Sequence, residues 1–247
     1  MKKFRNSILY ETFHNDKRLQ KRIIDDNNFT YRELISLMKP YLDKVNNVLD
    51  IGCGVGTIDF FLASKGKNVT GIEISSNAVK IARLNAKQFM LDKKILFINA
   101  SFPSKIPAIK YDLVIFSEVI EHLKDDSKAI KDIWRVLKPG GLLIITTPSK
   151  SAPLYRLGLL SNFDKEVGHL RRYTLSDLSN LVKNSGFQIL ETGKHEGILR
   201  NFLFTNKYAS KTLRFVRWGV ADVITMIDKA SIQILGASNL SIVAKKI

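Results

Sequence analysis

Apolar residues along this chain follow two alternating rhythms. Seven short apolar runs have the length and residue types of strands: NNVLDI (46–51), NVTGIEI (68–74), ILFINA (95–100), YDLVIFS (111–117), GLLIITTP (141–148), QILETG (188–193) and NLSIVAKKI (239–247). Between them the apolar positions recur at helical spacing. VGTIDFFLASKG runs to a stop at Gly66, and SSNAVKIARLNAKQFML starts at a Ser75 or Ser76 cap with Ala78, Ile81, Ala82 and Leu84 toward the core. DDSKAIKDIWRVLKPGG aligns Ile130, Ile133, Trp134 and Leu137 on one stripe and is stopped by Pro139-Gly140-Gly141, while YTLSDLSNLVKNSGF ends at Gly186. Strands separated by helices predict an α/β fold, a doubly wound and mostly parallel sheet with helices on both faces.

Three segments interrupt the rhythm and are expected to form a substrate cap on a single domain spanning 1–247. Residues 1–44 hold a basic arm and the helix TYRELISLMKPYL, with Thr30 and Glu33 in a capping-box relation. Residues 149–172 extend the fifth strand, and 195–237 separate the sixth and seventh by far more than a hairpin needs. In this last insertion Leu213, Val216, Val220, Val223, Ile224 and Ile227 recur at helical spacing, with Arg214, Arg217, Asp222 and Asp228 elsewhere on the circumference. Its apolar face is expected to pack on the domain as a lid. The alternative, for which Phe215 and Trp218 beside arginines speak, is docking of 212–235 on a membrane surface.

Composition narrows the picture. A chain of 247 residues that is 45% hydrophobic suits one large domain. Its single cysteine, Cys53, excludes an intramolecular disulfide framework, and four histidines argue against a structural zinc cluster, so a reducing, cytoplasmic compartment is expected. No run reads as a signal peptide or a membrane span. The 39 Lys and Arg against 23 Asp and Glu give a net charge of +16, which fits nucleic acid or an acidic lipid surface. The cations are spread along the chain and no aromatic single-strand platform is visible, so nucleic acid is the less favoured partner.

In such a sheet the ligand lies beyond the carboxyl ends of the strands. There, after the first strand, Asp50 precedes GCGVG, whose Gly52, Gly54 and Gly56 permit a tight turn and close approach of a ligand to the backbone. Glu73 ends the second strand, where it can accept hydrogen bonds from both hydroxyls of a ribose. Together they imply an adenosine site. The dinucleotide fingerprint GxGxxG is not met, because Thr57 stands where its last glycine falls.

These segments, with RVLKPGGLLIITTP, resemble the class I S-adenosylmethionine methyltransferases: VLDIGCGVG resembles their first motif and VTGIEIS their second. The resemblance implies S-adenosyl-L-methionine as cofactor and a seven-stranded sheet whose last strand inserts antiparallel. It sets Gly52, Cys53 and Gly54 along the methionine moiety, with Asp50, Gly56, Ile74 and Ser117 completing the expected cofactor set. Where the family carries an aspartate near the adenine, this chain has Ser101, so Asn99, Ser101 and the backbone of Phe102 are the adenine candidates.

One segment remains, SEVIEHL (117–123). Within the family, the chain is similar to the ubiquinone-biosynthesis O-methyltransferases and to the small-RNA terminal 2′-O-methyltransferases, in which an ExxEH segment is associated with a divalent metal. The second group adds a histidine that His169 matches. Glu118, Glu121 and His122 are therefore expected on one helix face at i, i+3 and i+4. With His169 they would bind Mg²⁺ or Mn²⁺, two imidazoles shifting the preference toward Mn, Fe or Zn. In the alternative, Glu121 and His122 are satisfied by backbone and by Arg171 or Arg172, and His122 or His169 is the general base. Glu121, His122 and His169 are the catalytic candidates. The expected reaction is O-methylation of a small-molecule, glycan or lipid-linked acceptor. An RNA methyltransferase and a non-catalytic cofactor-binding module are the other readings.

Overall fold

Each of the seven apolar runs forms a strand, and all seven join one sheet. The computed structural model describes residues 19–206, 208–209 and 218–247. Its strands β1 (Asn47–Ile51), β2 (Asn68–Glu73), β3 (Ile95–Asn99), β4 (Tyr111–Ser117), β5 (Leu137–Pro148), β6 (Phe187–His195) and β7 (Asn239–Lys246) lie in the order β3-β2-β1-β4-β5-β7-β6. β1 is parallel to both β2 and β4, and β7 is antiparallel to both β5 and β6. This is the expected fold. Because β2 and β4 flank β1, the loops leaving β1 and β4 diverge and open a crevice at the carboxyl edge.

Successive strand residues supply opposite faces, which is why these runs read as continuously apolar. Val48, Leu113, Ile115 and Ile144 pack with Ile35 and Met38 of α1 (Arg32–Met38), Phe60 and Phe61 of α2 (Thr57–Ser64), and Val79 and Ala82 of α3 (Ser76–Gln88). Leu49, Val114, Phe116 and Ile145 pack on the other side with Ile130 and Ile133 of α4 (Asp126–Val136) and with Leu178 and Val182 of a helix over Leu175–Lys183.

Several local expectations are corrected. Ser75 caps α3 by accepting from the Ala78 N–H, but Leu84 is 47% exposed. It sits about 200° around the helix from Ala82, and Val79 and Ala86 fill the inner face instead. α4 ends at Val136, and Pro139-Gly140-Gly141 lies within β5, which pairs with β4 from Leu137 onward. The capping box at Thr30 does not form. The Asn28 Oδ1 accepts from the N–H groups of Thr30 (3.1 Å) and Tyr31 (3.2 Å), and Glu33 turns to His195 and Arg200.

The insertions carry their own helices. Residues 149–172 form α5 (Pro153–Arg156) and α6 (Ser161–Val167), ahead of α7 (Leu175–Lys183); residues 195–237 form α8 (Ile198–Thr205) and α9 (Trp218–Leu235). Residues 1–18 of the basic arm lie outside the described residues, as do Leu213, Arg214, Phe215, Val216 and Arg217 and the side chain of Trp218. The rest of α9 is oriented against expectation. Asp228 is buried and accepts from the N–H groups of Leu199 (2.9 Å) and Arg200 (3.1 Å), so a carboxylate holds the N-terminus of α8. Arg32 pairs with Asp222 at 3.1 Å and ties α9 to α1. The inner side of α9 is thus a polar seam, and Val220, Val223, Met226 and Ile227 are exposed. No helix among the described residues is long and apolar enough to cross a membrane.

The corrected start of α1 sets a contrast between neighbouring substitutions. Asn28→Ala is expected to lower unfolding free energy by about 1 kcal/mol, the usual worth of such a cap. Thr30→Val should stay within about 0.5 kcal/mol of the parent chain. Urea midpoints of the two variants check this.

Candidate active site

β1 surfaces at Ile51 and the chain must reverse at once to enter α2. It does so with φ of 81°, 54° and 88° at Gly52, Gly54 and Gly56, the left-handed region that a side chain disfavours. At Gly52 space decides as well, since a Cβ there would stand 2.4 Å from Val119 Cγ2. The Gly52 and Cys53 N–H groups both donate to the Ile72 carbonyl, at 2.8 and 3.2 Å, which locks the turn against the end of β2. Glu73 then closes the other side. One carboxylate oxygen accepts from the Gly54 N–H (3.1 Å) and the other from the Ser75 N–H (2.7 Å).

Above this turn lies a cavity of about 340 Å³. Of the expected cofactor set, Gly52, Gly54, Glu73, Ile74, Ser101, Phe102 and Ser117 line it, and so do Val119 and His122. Three expected members do not. Gly56 is a structural cap whose missing Cβ makes room for Phe97 and Phe60, and the Cys53 sulfur points beneath the loop toward Gly71. Asp50 is buried beside Asp59, an acid that apolar patterning hides inside TIDFFLAS and that is itself fully buried, the two carboxyls sharing a hydrogen bond. Burial, with Glu73 nearby, pushes the Asp50 carboxyl up to about 7, and burial beside Asp50 pushes Asp59 well above the usual carboxylate range. Asn99, an adenine candidate, instead spends its amide on the carbonyls of Glu73 (3.1 Å) and Ile74 (2.9 Å).

At the end of β4 the expected helix face does not exist. Glu118 takes a left-handed φ of 55°, and only Ile120–His122 forms a helical turn, a 3-10 one. Glu118 therefore departs from the others, accepting from Thr146 Oγ1 and Asn239 Nδ2, both at 2.8 Å. Glu121, His122 and His169 do converge. Glu121 Oε1 lies 3.9 Å from His122 Nε2 and 3.8 Å from His169 Nε2. Each imidazole is oriented from behind, His122 Nδ1–H donating to the Gly168 carbonyl (3.1 Å) and His169 Nδ1–H to Asp164 (2.9 Å), so both Nε2 lone pairs face the carboxyl. Glu121 is fully buried, Oε2 accepts from Thr147 Oγ1 (3.0 Å) and Oε1 has no hydrogen-bond partner. The alternative pairing with arginine is not formed: Arg172 is held by Asp164 and Arg171 by Asp126. Burial, then the charge of Glu118, raises the Glu121 pKa well above its ordinary value, and burial lowers His122 to about 4 and His169 in the same direction.

A second cavity, of about 360 Å³, meets the first at Ser117 and Glu118 and also takes His169 into its wall. Its far side holds Glu33 of α1, which was expected in the capping box, and residues that no motif singles out: His195 at the end of β6, Glu196, and Asn201 and Phe204 of α8. Glu33 sits 3.3 Å from His195 Nδ1 and 3.4 Å from Arg200. They come from two segments distant in sequence, α1 and residues 195–204, and only the folded insertion brings them together.

A family profile described as a methyltransferase domain matches residues 23–192. The ubiquinone biosynthesis O-methyltransferase of Pseudomonas entomophila is 30% identical over 46% of this chain and 49% of its own length. Its counterpart from Coxiella burnetii is 29% identical over 64% of this chain and 70% of its own. The chain thus spans about half the length of the first and more of the second. Magnesium protoporphyrin IX methyltransferase (ChlM) from Synechocystis PCC 6803, solved with bound SAH, shares the fold with a TM-score of 0.66 at 16% identity, over 99% of this chain and 100% of that one.

The buried acids give a pH-dependent outcome. An acid whose folded pKa exceeds its unfolded value costs stability once the pH passes the unfolded value, and the cost grows until the folded pKa is passed. Asp59→Asn is therefore expected to raise the urea midpoint of ligand-free protein, on the order of 2 kcal/mol at pH 8 and much less at pH 5. Equal midpoints for the two chains at both pH values would contradict this.

Proposed function

The chain belongs to the methyltransferase domain family, and from that premise we propose that it methylates a hydroxyl oxygen at the junction of its two cavities. The observation that carries the reading is that both cavities share Ser117 and Glu118, so a methyl donor in one faces an acceptor in the other. The residues fit S-adenosylmethionine. Gly52 and Gly54 leave a side-chain-free cradle for the methionine end, and Glu73, held by two amides with lone pairs to spare, suits the ribose hydroxyls. Ile74, Ser101 and Phe102 line the adenine end. Bound S-adenosylmethionine supplies a sulfonium methyl whose leaving group is a neutral thioether, which takes the electron pair of the S–C bond.

This chain must then hold the acceptor oxygen in line and take its proton. His169 is the base in this reading: it reaches the second cavity, its Nδ1–H is committed to Asp164, and burial keeps Nε2 unprotonated at neutral pH. Two relatives named O-methyltransferases support oxygen as the acceptor atom.

In the alternative use of the same cluster, His169 Nε2 is a ligand of a divalent cation and not the base. Glu121, His122 and His169 offer three ligand atoms within 4.8 Å of one another, and Glu121 Oε1 makes no hydrogen bond that a cation would have to break. Two imidazoles and one carboxylate favour Mn²⁺, Fe²⁺ or Zn²⁺ over Mg²⁺. A bound cation would supply Lewis acidity to the acceptor hydroxyl. The exposed apolar row of α9 supports contact with a membrane surface and a lipid-borne acceptor, and co-flotation with anionic liposomes is the expected outcome. The net charge speaks for RNA, but the arginines at the second cavity are already paired, Arg172 with Asp164 and Arg200 with Glu33, which leaves a phosphodiester there without a counter-charge from either.

Calorimetry tests the reading directly. One S-adenosylhomocysteine is expected to bind per chain, and Glu73→Ala to weaken it at least about tenfold, the worth of two charge-assisted hydrogen bonds. No uptake by folded protein would remove the proposal. For the cation, electron paramagnetic resonance of added Mn²⁺ should show binding that Glu121→Gln and His169→Asn abolish and Glu118→Ala leaves in place; Mn²⁺ that stays free with the parent chain would exclude the metal.

A further inference from the structure

We propose that Glu118 is the residue that tells the charged methyl donor from its neutral, demethylated product, its carboxylate standing beside the sulfonium at the junction of the two cavities. The inference rests on the methyl-transfer reading above. Position comes first. Glu118 follows the last residue of β4, lines both cavities and is exposed there. Its neighbour Val119 closes over Gly52, in the turn assigned to the methionine end of the donor. The backbone φ of 55° is uncommon for a residue with a Cβ, and such conformations concentrate at sites of function. Here it takes the side chain away from Glu121 and His122 and toward the ends of β5 and β7.

The carboxyl group is held from one side only. Oε1 accepts from Thr146 Oγ1 of β5 and from Asn239 Nδ2 of β7, each at 2.8 Å, and Thr146 Oγ1 in turn lies 2.7 Å from Ser117 Oγ. Oε2 has no hydrogen-bond or ion-pair partner among the described residues. Charge then selects what that oxygen meets. No lysine or arginine lines the first cavity, and its other acid, Glu73, is engaged with the Gly54 and Ser75 amides on the ribose side. In the second cavity Arg172 is held by Asp164. A cation entering the first cavity with its charge at the Ser117–Glu118 end therefore meets an uncommitted carboxylate oxygen. The sulfonium of S-adenosylmethionine brings that charge, and S-adenosylhomocysteine has lost it with the methyl group. The attraction, stronger between cavity walls than in bulk water, ends when the methyl leaves, which favours exchange of product for fresh donor.

The test is calorimetry on the full chain with three ligands: S-adenosylmethionine, S-adenosylhomocysteine and sinefungin, in which an amine-bearing carbon replaces the methylated sulfur and sets an ammonium at the methyl position. Desolvation raises the Glu118 pKa, so the titrations are run at about pH 8. Glu118→Gln keeps a carbonyl oxygen for Thr146 and Asn239 and removes the charge. It is expected to weaken S-adenosylmethionine and sinefungin about tenfold and S-adenosylhomocysteine less than about twofold. Glu118→Gly, which suits the left-handed backbone, is the second variant should the first fail to fold, and the same pattern is expected of it. Weakening of S-adenosylhomocysteine as great as that of the charged ligands, the mark of a merely structural role, or no change in either charged ligand, would overturn the role of Glu118 alone. Folded parent protein that takes up no S-adenosylhomocysteine would overturn it together with the methyl-transfer reading.

Discussion

The chain must turn back on itself where β1 surfaces, in a space that admits no side chain, and the remainder of the site is arranged around that reversal. Val119 closes in over Gly52 because nothing protrudes from the turn, and the two amides that donate to Ile72 keep it pressed against β2. Glu73 can then bridge Gly54 and Ser75, which makes its carboxylate part of the loop's own hydrogen bonding. The crevice is open because its floor is bare backbone, and it is stable because that backbone is satisfied.

The second feature of the site is buried acidity. Asp50 with Asp59, Glu121 among two imidazoles, and Glu196 near Glu118 are all acids whose burial raises their pKa. Burial of unpaired carboxyls weakens a fold, and such groups concentrate where ligands are handled. Here only Glu196 lines a cavity; Glu121 sits against His122 and His169, which do, and Asp50 and Asp59 are buried beside the glycine turn, while the core elsewhere is built from Val, Ile, Leu and Phe.

The sheet, its helices and the glycine turn were legible because they arise from periodicity and local backbone geometry, which a sequence displays directly. Glu73, Ser117, His122 and His169 were legible for the same reason, each being placed by the end of a strand or by a family motif. Glu118 was misread, since i, i+3, i+4 reasoning assumes a helix and its left-handed backbone breaks one. Leu84 and the orientation of α9 were misread because an amphipathic stripe does not say which side meets the protein. Asp228 answers that for α9 through two backbone amides 29 and 28 residues away in sequence, a pairing with no signature. Glu33, His195, Glu196 and Asn201 belong to the same class, brought together only by tertiary folding.

The carboxylate of Asp228 seated on the start of α8 joins two helices that would otherwise be independent appendages. Asn201 and Phe204 ride on α8, so the contour of the second cavity is governed from the side facing away from it. Sequence drift along α9 would reshape the second cavity without disturbing the glycine turn that floors the first.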